Sequence, residues 1–459
     1  METEQRVLTG WGRTAPTVAT VVRATGDELR DDLGSDAALC SIIEARGAIA
    51  RGLGRSYGDP AQNGGGVVIE LEPGTDPIRL DAEAGVAHVD AGVSLDMLLR
   101  EIVPRGWFVP VTPGTRFVTV GGAVASDIHG KGHHTDGSFG AHVVRMGMLL
   151  ADGSTRSITA DADPELWWAT IGGMGLTGVI TDVSFRVIPV ESRHFVVETR
   201  RVPNFDELVE AMEESDADYR YSVAWIDLVA TGKNLGRSVL SMGNHASVAD
   251  LREMKPSLAE HPLDFDPRVF PDVPAGVPNV LTRPAVRAFN ELWYRKTPKH
   301  GHGIESITQF FHPLDMVGQW TRLYGSHGFL QYQFVVPFEA VDTMRTIVAR
   351  IADEGHASFL AVLKRFGAES GGMMSFPRPG WTLTLDLPAG VSGLGRLLSE
   401  LDELVLGVGG RHYLAKDAFA TPDVVRRGYP RLDEWKAIRE SFDPDGVWAS
   451  DQARRLQLI

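Results

Sequence analysis

The sequence predicts an α+β protein of two domains, the second of them built on an antiparallel sheet. At 459 residues the chain is longer than one hydrophobic core usually supports. Short strands and glycine turns alternate with helices over residues 37–190, whereas longer helices separate strand-like segments from about residue 196. This change of pattern predicts a domain boundary at residue 195.

The N-terminal half contains several segments typical of half-buried strands. GVVIELE (66–72) and AHVDAGV (87–93) are short and lie between turn residues. GVITDVSFRVIPV (178–190) alternates apolar and polar residues, as a strand with one face in the core does. These segments predict one domain over residues 1–195.

The C-terminal half predicts a second sheet and a final helical segment. VPNFDELVEAMEES (202–215) is helical, and QYQFVVP (331–337) and WTLTLDLP (381–388) are strand-like. We expect a substrate-binding domain over residues 196–410. Residues 411–459 are again helical in pattern and could dock on the first domain.

Residues 255–303 stand apart because they contain many prolines and little periodicity. Within them PAVRAFNELWYRK (284–296) predicts a short amphipathic helix with Val286, Phe289 and Trp293 on one face. Five cations lie in or beside this helix, namely Arg283, Arg287, Arg295, Lys296 and Lys299. Two interpretations stay open, a solvated mobile loop and a lid that contacts an anionic or lipidic substrate.

Composition and charge exclude several classes of function. The formal net charge of −15 disfavours a nucleic-acid-binding surface, which needs clustered lysine and arginine. The single cysteine, Cys40, allows neither an internal disulfide nor a cysteine-rich metal site. No signal peptide or membrane-spanning stretch is recognisable. We expect a cytoplasmic protein or one bound peripherally to the inner membrane, with periplasmic placement through partners as the alternative.

The stretch VTVGGAVASDIHGKGHH (118–134) raises the question of a metal or phosphate site. A metal would use His129, His133 and His134, but no carboxylate has the matching spacing and neighbouring histidines point apart on regular backbone. A P-loop would use the Gly-Lys pair at 130–131, but both flanking positions depart from G-x-x-x-x-G-K-[ST]. Both interpretations are therefore weak.

A dinucleotide fingerprint is suggested by GMGLTG (173–178), which matches G-x-G-x-x-G. A Rossmann fingerprint leaves a strand and opens a helix. Here the predicted helix DPELWWAT (163–170) precedes the glycines and a strand follows them. Because the order is reversed, we reject a Rossmann site.

Four glycine-rich turns in the N-terminal half indicate a different cofactor site. They are ARGLGRSYGDP (50–60), TPGT (112–115), TVGGAVASDIHGKG (119–132) and GGMGLTG (172–178). Glycine permits positive φ and leaves backbone N–H groups accessible to an anion. Together the turns predict a large cofactor, with a pyrophosphate and a broad ring, held mainly by backbone.

These turns resemble the FAD-binding domain of the vanillyl-alcohol oxidase (PCMH-type) flavoproteins, and FDPDGVWASDQARRL (442–456) resembles the closing segment of that family's sugar oxidases. With ASDIHGKGHH, QYQFVVP, FPRPGWTLTLDLP and YLAKD, the chain is similar over nearly its whole length to the decaprenylphosphoryl-β-D-ribose 2′-oxidases. These are the flavin subunits of the 2′-epimerases that supply arabinose donors for cell-wall arabinan.

The resemblance implies FAD as the cofactor. The residues that it places at FAD are Ala50, Arg51, Gly52, Leu53, Gly54, Arg55, Ser56, Tyr57, Gly58, Asp59, Pro60, Pro113, Gly114, Thr115, Thr119, Val120, Gly121, Gly122, Ser126, His129, Gly130, Lys131, Gly132, Gly178, Val179, Thr181 and Tyr413. Arg55 stands where many family oxidases carry a flavin-linking histidine, so we expect non-covalent FAD. Thr384 stands where several members carry a cysteine that nitroaromatic inhibitors trap, so covalent trapping should fail.

The implied reaction is oxidation of the ribose C2 hydroxyl to a ketone, with hydride transfer to the flavin and loss of a proton to a base. Lys416 is the first candidate base and His129 is the second, as base or as hydrogen-bonding partner of the flavin. A surface lysine paired with Asp417, and a loop histidine satisfied by backbone, are the structural alternatives.

Polar residues that share strand faces are either the solvent-exposed side of the sheet or, in the functional interpretation, the substrate wall opposite the flavin. The substrate-binding residues implied are Tyr57, Lys131, Trp225, Gln331, Gln333, Lys364, Thr382, Thr384, Asp386 and Lys416. Lys364 or Lys131 would suit the phosphate.

The implied partners are a polyprenyl-phosphate sugar, a separate NADH-dependent keto-reductase, and quinone or oxygen as electron acceptor. An oxygen-using alditol or aldonolactone oxidase of the same flavin family is the near alternative. A histidine-metal hydrolase or a nucleotide-binding module is the alternative from another class.

Overall fold

The computed structural model describes residues 2–32, 37–267, 270–355 and 358–459, and it confirms the α+β fold class. Two sheets form the first domain. The strands of the first sheet are β1 (Glu2–Leu8), β2 (Thr17–Ala24), β3 (Ala48–Arg51) and β4 (Val67–Leu71). They lie in the order β1-β2-β4-β3, with β4 parallel to both β2 and β3.

The second sheet is antiparallel throughout. Its strands are β5 (Ile78–Asp81), β6 (Val86–Asp90), β8 (Val143–Leu149), β9 (Thr155–Ile158) and β10 (Val179–Arg186), and β7 (Trp107–Phe108) and β11 (Ile188–Pro189) form a separate pair. The order is β5-β6-β10-β8-β9. The strands predicted from 66–72, 87–93 and 178–190 are therefore confirmed, although β10 ends at Arg186.

Short helices connect these strands. They are α1 (Gly26–Asp32), α2 (Ala37–Arg46), α3 (Leu95–Ile102), α4 (Val120–Ala125), α5 (His133–Asp136) and α6 (Pro164–Thr170). Ser94 caps the N-terminus of α3, because its hydroxyl accepts from the Met97 N–H, and the helix buries its leucines in the core. The α6 helix begins at Pro164, but the Asp163 side chain forms no capping bond.

The second domain contains the predicted antiparallel sheet. Its strands are β12 (His194–Val202), β13 (Tyr221–Ile226), β14 (Ser238–His245), β15 (His300–Ser306), β16 (Phe329–Val336), β17 (Ala361–Phe366), β18 (Gly380–Pro388) and β19 (Arg411–His412). The order is β15-β12-β14-β13-β17-β18-β16-β19, and every neighbouring pair is antiparallel. The limits at residues 195 and 410 stay predictions, since this sheet takes in residues 194 and 411–412.

Helices cover one face of this sheet. The helices of the domain are α7 (Phe205–Ser215), α8 (Val248–Met254), α9 (Arg283–Lys296), α10 (Ile307–Phe311), α11 (Val341–Glu354) and α12 (Leu394–Gly407). Apolar residues of β16 and β18, such as Leu330 and Leu383, pack with α7, α11 and α12 in one core. Because side chains alternate along a strand, the intervening polar residues face the other way, towards the first domain.

The last helices, α13 (Pro422–Gly428), α14 (Leu432–Phe442) and α15 (Asp451–Arg455), return to the first domain. The Trp435 indole N–H donates to the Ala169 carbonyl at 2.9 Å. The Ala48 N–H donates to Val447 and the Ala449 N–H donates to Ala48, so this segment lies along the β3 edge. The C-terminal segment is thereby part of the same core as the glycine turns.

The segment 255–303 contains the predicted helix as α9. Val286 is buried, whereas Phe289 and Trp293 are 44% and 43% exposed. The common apolar face that the sequence predicts is therefore divided, one residue packing inward and two facing outward. No helix in the described residues is both long and apolar enough to cross a bilayer.

Candidate active site

A cavity of about 870 Å³ lies between the glycine turns of the first domain and the uncovered face of the eight-stranded sheet. This volume is near the upper end for ligand pockets. The turns at 50–57, 112–115 and 119–131 line one side, and β13, β16, β17 and β18 contribute to the other. The cavity is large enough to take an extended cofactor together with a second molecule.

The turn at residues 53–56 presents backbone donors to this cavity. Within the described part of the chain, the N–H groups of these four residues donate to no other group of the protein. Gly54 has φ +63°, a conformation that glycine adopts without strain. Successive free N–H groups on such a turn bind anions, so the turn fits the pyrophosphate of a dinucleotide.

Three side chains that line the cavity carry a buried polar atom with no partner in the described residues. They are the Arg55 Nε, the His129 Nδ1 and the Thr384 Oγ1 atoms. Buried polar groups are nearly always satisfied in folded proteins, so these three atoms are available to hydrogen-bond a molecule bound in the cavity. Their position fits a cofactor ring with polar edges, such as a flavin, and a polar substrate.

His129 is held in a ring of aromatic side chains. Its centroid lies 4.8 Å from that of Phe366 and 5.0 Å from that of Tyr413. The Gln333 amide nitrogen donates to His129 Nε2 at 2.8 Å, which leaves the proton on Nδ1. Burial and then the Lys364 charge hold the pKa of His129 well below its ordinary value. In this arrangement a neutral His129 would present its Nδ1–H to the cavity, and its alternative role as a base stays a prediction.

Lys416 lines the cavity next to Tyr57 of the first glycine turn. Its Nζ atom lies 4.2 Å from the centre of the Tyr57 ring. The surface pairing with Asp417 is not formed, because Arg455 takes that carboxylate at 2.7 Å. Burial lowers the pKa of Lys416 to about 7, although Asp386 opposes the shift. A lysine that is partly neutral at pH 7 can act as a general base.

Two further lysines bring positive charge to the same cavity. Burial lowers the pKa of Lys364 and of Lys131 to about 8. The Lys131 ammonium donates to the Phe310 carbonyl and lies 4.1 Å from the Phe310 ring centre. Both groups are cations at neutral pH and would stabilise a bound phosphate.

Gln331, Gln333, Thr384 and Trp225 all line the cavity, as the strand-face argument predicts. The Trp225 indole N–H donates to the Phe359 carbonyl at 3.0 Å, which fixes the ring. The two amides reach the cavity from alternate positions of β16. They form the polar wall opposite the glycine turns.

Thr382 and Asp386 depart from the prediction, because neither lines the cavity. Both are completely buried. The Thr382 hydroxyl accepts from Gln333 at 3.3 Å, and the Asp386 carboxylate accepts from Gln331. Each lies behind a longer glutamine side chain of the neighbouring strand, and that side chain reaches the cavity in its place.

Most residues expected at FAD line the cavity, but six do not: Gly58, Asp59, Val120, Gly132, Val179 and Thr181. Val120 and Val179 are buried in apolar clusters. Asp59 is ion-paired with Arg455, and Gly58 packs on the Asp417 backbone. These residues pack on the side of the turns that faces away from the cavity. Only some residues of each turn face the cavity itself.

Several lining residues lay outside the sequence-based expectation, including Trp11, Asp315 and Phe310. The Trp11 ring lies 3.8 Å from the Arg55 guanidinium carbon. Asp315 accepts from the Thr115 hydroxyl at 2.7 Å. These residues belong to turns and short helices, where periodicity gives no indication of which side chain faces a ligand.

The three histidines of residues 118–134 serve separate partners. His133 Nδ1 accepts from the Gly367 N–H at 3.1 Å, and His134 Nε2 contacts the Tyr219 carbonyl at 2.9 Å. Only His129 lines the cavity. No group of three metal-binding side chains occurs among the residues that the structure describes.

Two known families match parts of the chain. The family described as FAD binding domain matches residues 38–159, and the family described as D-arabinono-1,4-lactone oxidase matches residues 391–456. The first match contains three of the glycine turns. The second contains Lys416 and the helices that return to the first domain.

Curated relatives extend this similarity to the whole chain. Decaprenylphosphoryl-β-D-ribose oxidase of Mycolicibacterium smegmatis is 47% identical over 100% of this chain and 98% of its own length. An uncharacterized protein of Streptomyces coelicolor is 37% identical over 80% of this chain and 100% of its own length. A D-lactate dehydrogenase of Anaerostipes hadrus is 31% identical over 28% of each chain.

Proposed function

The chain belongs to the FAD-dependent family of decaprenylphosphoryl-β-D-ribose oxidases, and we propose that it oxidises the C2 hydroxyl of a polyprenylphosphoryl-β-D-ribofuranose to the 2′-ketone. This is the first half of an epimerisation to an arabinose donor for cell-wall arabinan. The observation that carries the proposal is the amine of Lys416, which lies in one cavity with the free N–H groups of the 53–56 turn.

FAD, when bound, supplies the hydride acceptor. The free N–H groups of residues 53–56 would hold its pyrophosphate, and the unpartnered Nδ1–H of His129 would donate to a polar edge of the ring system. Arg55, stacked on Trp11, offers no nucleophile for a covalent flavin bond, so FAD is held non-covalently. The chain's own residues then have three tasks: to orient the sugar, to accept its proton and to anchor its phosphate.

Lys416 accepts the proton of the C2 hydroxyl. Its pKa near 7 leaves a large fraction of the amine neutral at physiological pH. Gln331 and Gln333 orient the sugar hydroxyls from β16, since their amides are fixed from behind by Asp386 and Thr382. His129 keeps a donor role, because Gln333 already occupies its Nε2 atom.

Lys131 and Lys364 bind the phosphate. Burial lowers the pKa of each to about 8, so both stay largely protonated at pH 7. Lys131 is additionally fixed by the Phe310 carbonyl, which keeps its ammonium beside the cavity. We assign Lys416 as the base, and Lys131 and Lys364 as the cations that bind the phosphate.

The prenyl chain leaves along α9, which forms the lid. Trp293 lines the cavity, and with Phe289 and Leu292 it gives α9 an exposed apolar surface. The Phe289 and Trp293 rings stack at 6.3 Å. Arg295 and Lys296 lie beside them, which suits an anionic lipid surface. We propose that the protein contacts the membrane peripherally through this face.

The proposed oxidation requires two partners. The 2′-ketone must be reduced from the other face by a hydride donor, which we assign to a separate NADH-dependent keto-reductase. The reduced cofactor must return two electrons to an acceptor, a quinone or oxygen.

The direct test is anaerobic mixing of the FAD-loaded protein with a polyprenylphosphoryl-ribose while flavin absorbance is followed. Bleaching, together with formation of one equivalent of keto sugar, supports the proposal. Unchanged absorbance at saturating substrate would contradict it.

A second candidate function rests on the match of residues 391–456 to the lactone oxidase family. It is the oxygen-dependent oxidation of an alditol or aldonolactone. Release of hydrogen peroxide on addition of such a soluble sugar, without reaction of the polyprenylphosphoryl-ribose, would favour it.

A further inference from the structure

Asp386 is a buried carboxylate without a salt-bridge partner in the described residues. It is 0% exposed and lies on β18, opposite Gln331 of β16. Its backbone N–H donates to the Leu360 carbonyl, so its position is fixed by the sheet. Burying an ionised carboxylate is energetically unfavourable, and another charge close by usually compensates for it.

A chain of contacts leads from Asp386 to the proposed base. The Gln331 amide nitrogen donates both to Asp386 Oδ1 and, at 3.0 Å, to the Tyr57 hydroxyl. The Tyr57 ring then carries the Lys416 ammonium on its face. Asp386 is thus connected with Lys416 through two side chains that both line the cavity, although it lines no part of the cavity itself.

The charged and titratable groups around this pair are few. Asp386 faces Tyr324, whose hydroxyl donates to Oδ2 at 3.3 Å, as well as Tyr57 and Lys416. Lys416 faces Asp386, Lys364, Tyr57 and His129. Asp386 is the acid in this group, and its negative charge stabilises the protonated form of Lys416. The positive charge of Lys364 destabilises that form.

The pKa values of the two groups meet near neutrality. Burial raises the pKa of Asp386 to about 7, opposed by Gln331, Lys416 and Tyr324, and burial lowers the pKa of Lys416 to about 7. Their charges therefore depend on each other in the range where the enzyme works.

We propose that Asp386 is a positioning residue for the oxidation, which acts through Lys416 by stabilising the ammonium that forms when the amine takes the substrate proton. The inference rests on the proposed function. FAD, when bound, would accept the hydride of the C2–H bond, while the O–H proton would pass to the Lys416 nitrogen and the C2–O bond would become a carbonyl. Asp386 balances the positive charge that this step leaves on Lys416.

The test is the pH profile of flavin reduction in Asp386→Asn, an isosteric change that keeps an acceptor for Gln331. Without the negative charge the pKa of Lys416 falls. We expect the acid limb of the profile to move down by about one pH unit or more, and the high-pH plateau to fall roughly tenfold because the base is weaker. A reduced plateau with an unmoved limb would mean a structural role only and would overturn the proposal.

Asp402→Asn is the matched control. Asp402 accepts from the Tyr332 hydroxyl at 2.7 Å and contacts His412 at 3.0 Å, on the helix-covered side of the same sheet. The Asp402→Asn variant should leave the acid limb of the pH profile unchanged. Tyr324→Phe, which removes one donor from the Asp386 carboxylate, should move the limb in the same direction as Asp386→Asn but less far.

A second measurement is independent of turnover and keeps the proposal falsifiable. The pH dependence of Lys416 acetylation, followed by mass spectrometry of the FAD-loaded protein, should shift to lower pH in Asp386→Asn and not in Asp402→Asn. If Asp386→Asn does not fold, the same comparison is made with Tyr324→Phe. An unshifted midpoint overturns the proposal, whereas a normal rate in Lys416→Ala would instead overturn the role of Lys416 in the proposed function.

Discussion

Lys416 rests on the face of Tyr57, with 4.2 Å between its Nζ atom and the ring centre. A cation–π contact contributes only about 0.5–2 kcal/mol. Burying an ammonium ion costs several kcal/mol on the same scale. The contact therefore orients the amine but does not keep it charged, and the lowered pKa of Lys416 follows from this imbalance.

Lys416→Ala should leave FAD bound and slow flavin reduction by the substrate about 10²- to 10⁴-fold, the usual contribution of a general base. FAD binding is retained because the 53–56 turn is untouched. Stopped-flow bleaching and the flavin-to-protein absorbance ratio measure the two effects. Lys233→Ala is the control, because Lys233 is exposed and does not line the cavity. A near-normal rate in Lys416→Ala would show that Lys416 takes no part in the reaction.

The rate of flavin reduction should rise with pH and level off above about pH 7. The base acts in its neutral form, and the pKa of Lys416 is lowered to about 7, so activity is lost as the pH falls through that value. Single-turnover rates between pH 5.5 and 9 give the profile. A limb near the ordinary lysine value of about 10.5 would contradict the burial argument.

FAD should leave the protein completely on denaturation. Arg55 stacks on Trp11 and supplies no ring nitrogen for a flavin bond. After heat or acid precipitation of the protein, all of the yellow colour should be in the supernatant. A denaturing gel should show no fluorescent flavin band at the position of the protein. A flavin adduct on any peptide would refute the expectation, and mass spectrometry would locate it.

Nitroaromatic inhibitors that act by trapping a thiol should inhibit only reversibly. Thr384 lines the cavity, but its hydroxyl is a far weaker nucleophile than a thiolate. Dilution should restore activity, and the intact mass should not change. Thr384→Cys should convert the same compounds into time-dependent inhibitors, and the absence of that conversion would mean that position 384 does not face the reactive group.

Replacing Phe289, Leu292 and Trp293 by serine should weaken binding to anionic liposomes and raise KM for a long-chain substrate. KM for a short-chain analogue should change less, because Phe289 and Leu292 face outward and only Trp293 of the three lines the cavity. Serine at Val7 and Val18, which are 65% and 55% exposed on the β1–β2 pair, is the matched control. Equal effects on both substrates would refute a lipid contact.

The alternation along β16 and β18 made part of the site predictable from the sequence. Gln331 and Gln333 share the cavity-facing side because side chains on a strand alternate, and the same rule placed Thr384 beside them. Alternation predicts which face of the sheet a side chain lies on, but not whether that side chain reaches the cavity. Asp386 shares that face and yet lies behind Gln331, a result of side-chain lengths on two strands that are far apart in sequence.

The interaction partners of residues far apart in sequence could not be predicted, for a related reason. A surface pairing of Lys416 with Asp417 is the obvious local choice, but Arg455 takes the carboxylate from 38 residues away. The helix α9 was predictable in its extent, but periodicity does not state which residue of an apolar face packs inward. Val286 does so, while Phe289 faces outward.

The hydrogen bonds between Ala48 and residues 447–449 bear on the order in which the site is assembled during synthesis. The edge of the first sheet is completed by residues that leave the ribosome almost four hundred positions later. Arg455 likewise joins Asp59, in the 50–60 turn, to Asp417. A nascent chain therefore lacks these contacts beside the 50–60 turn until residues 447–455 have been made, and we expect stable FAD binding only after that point.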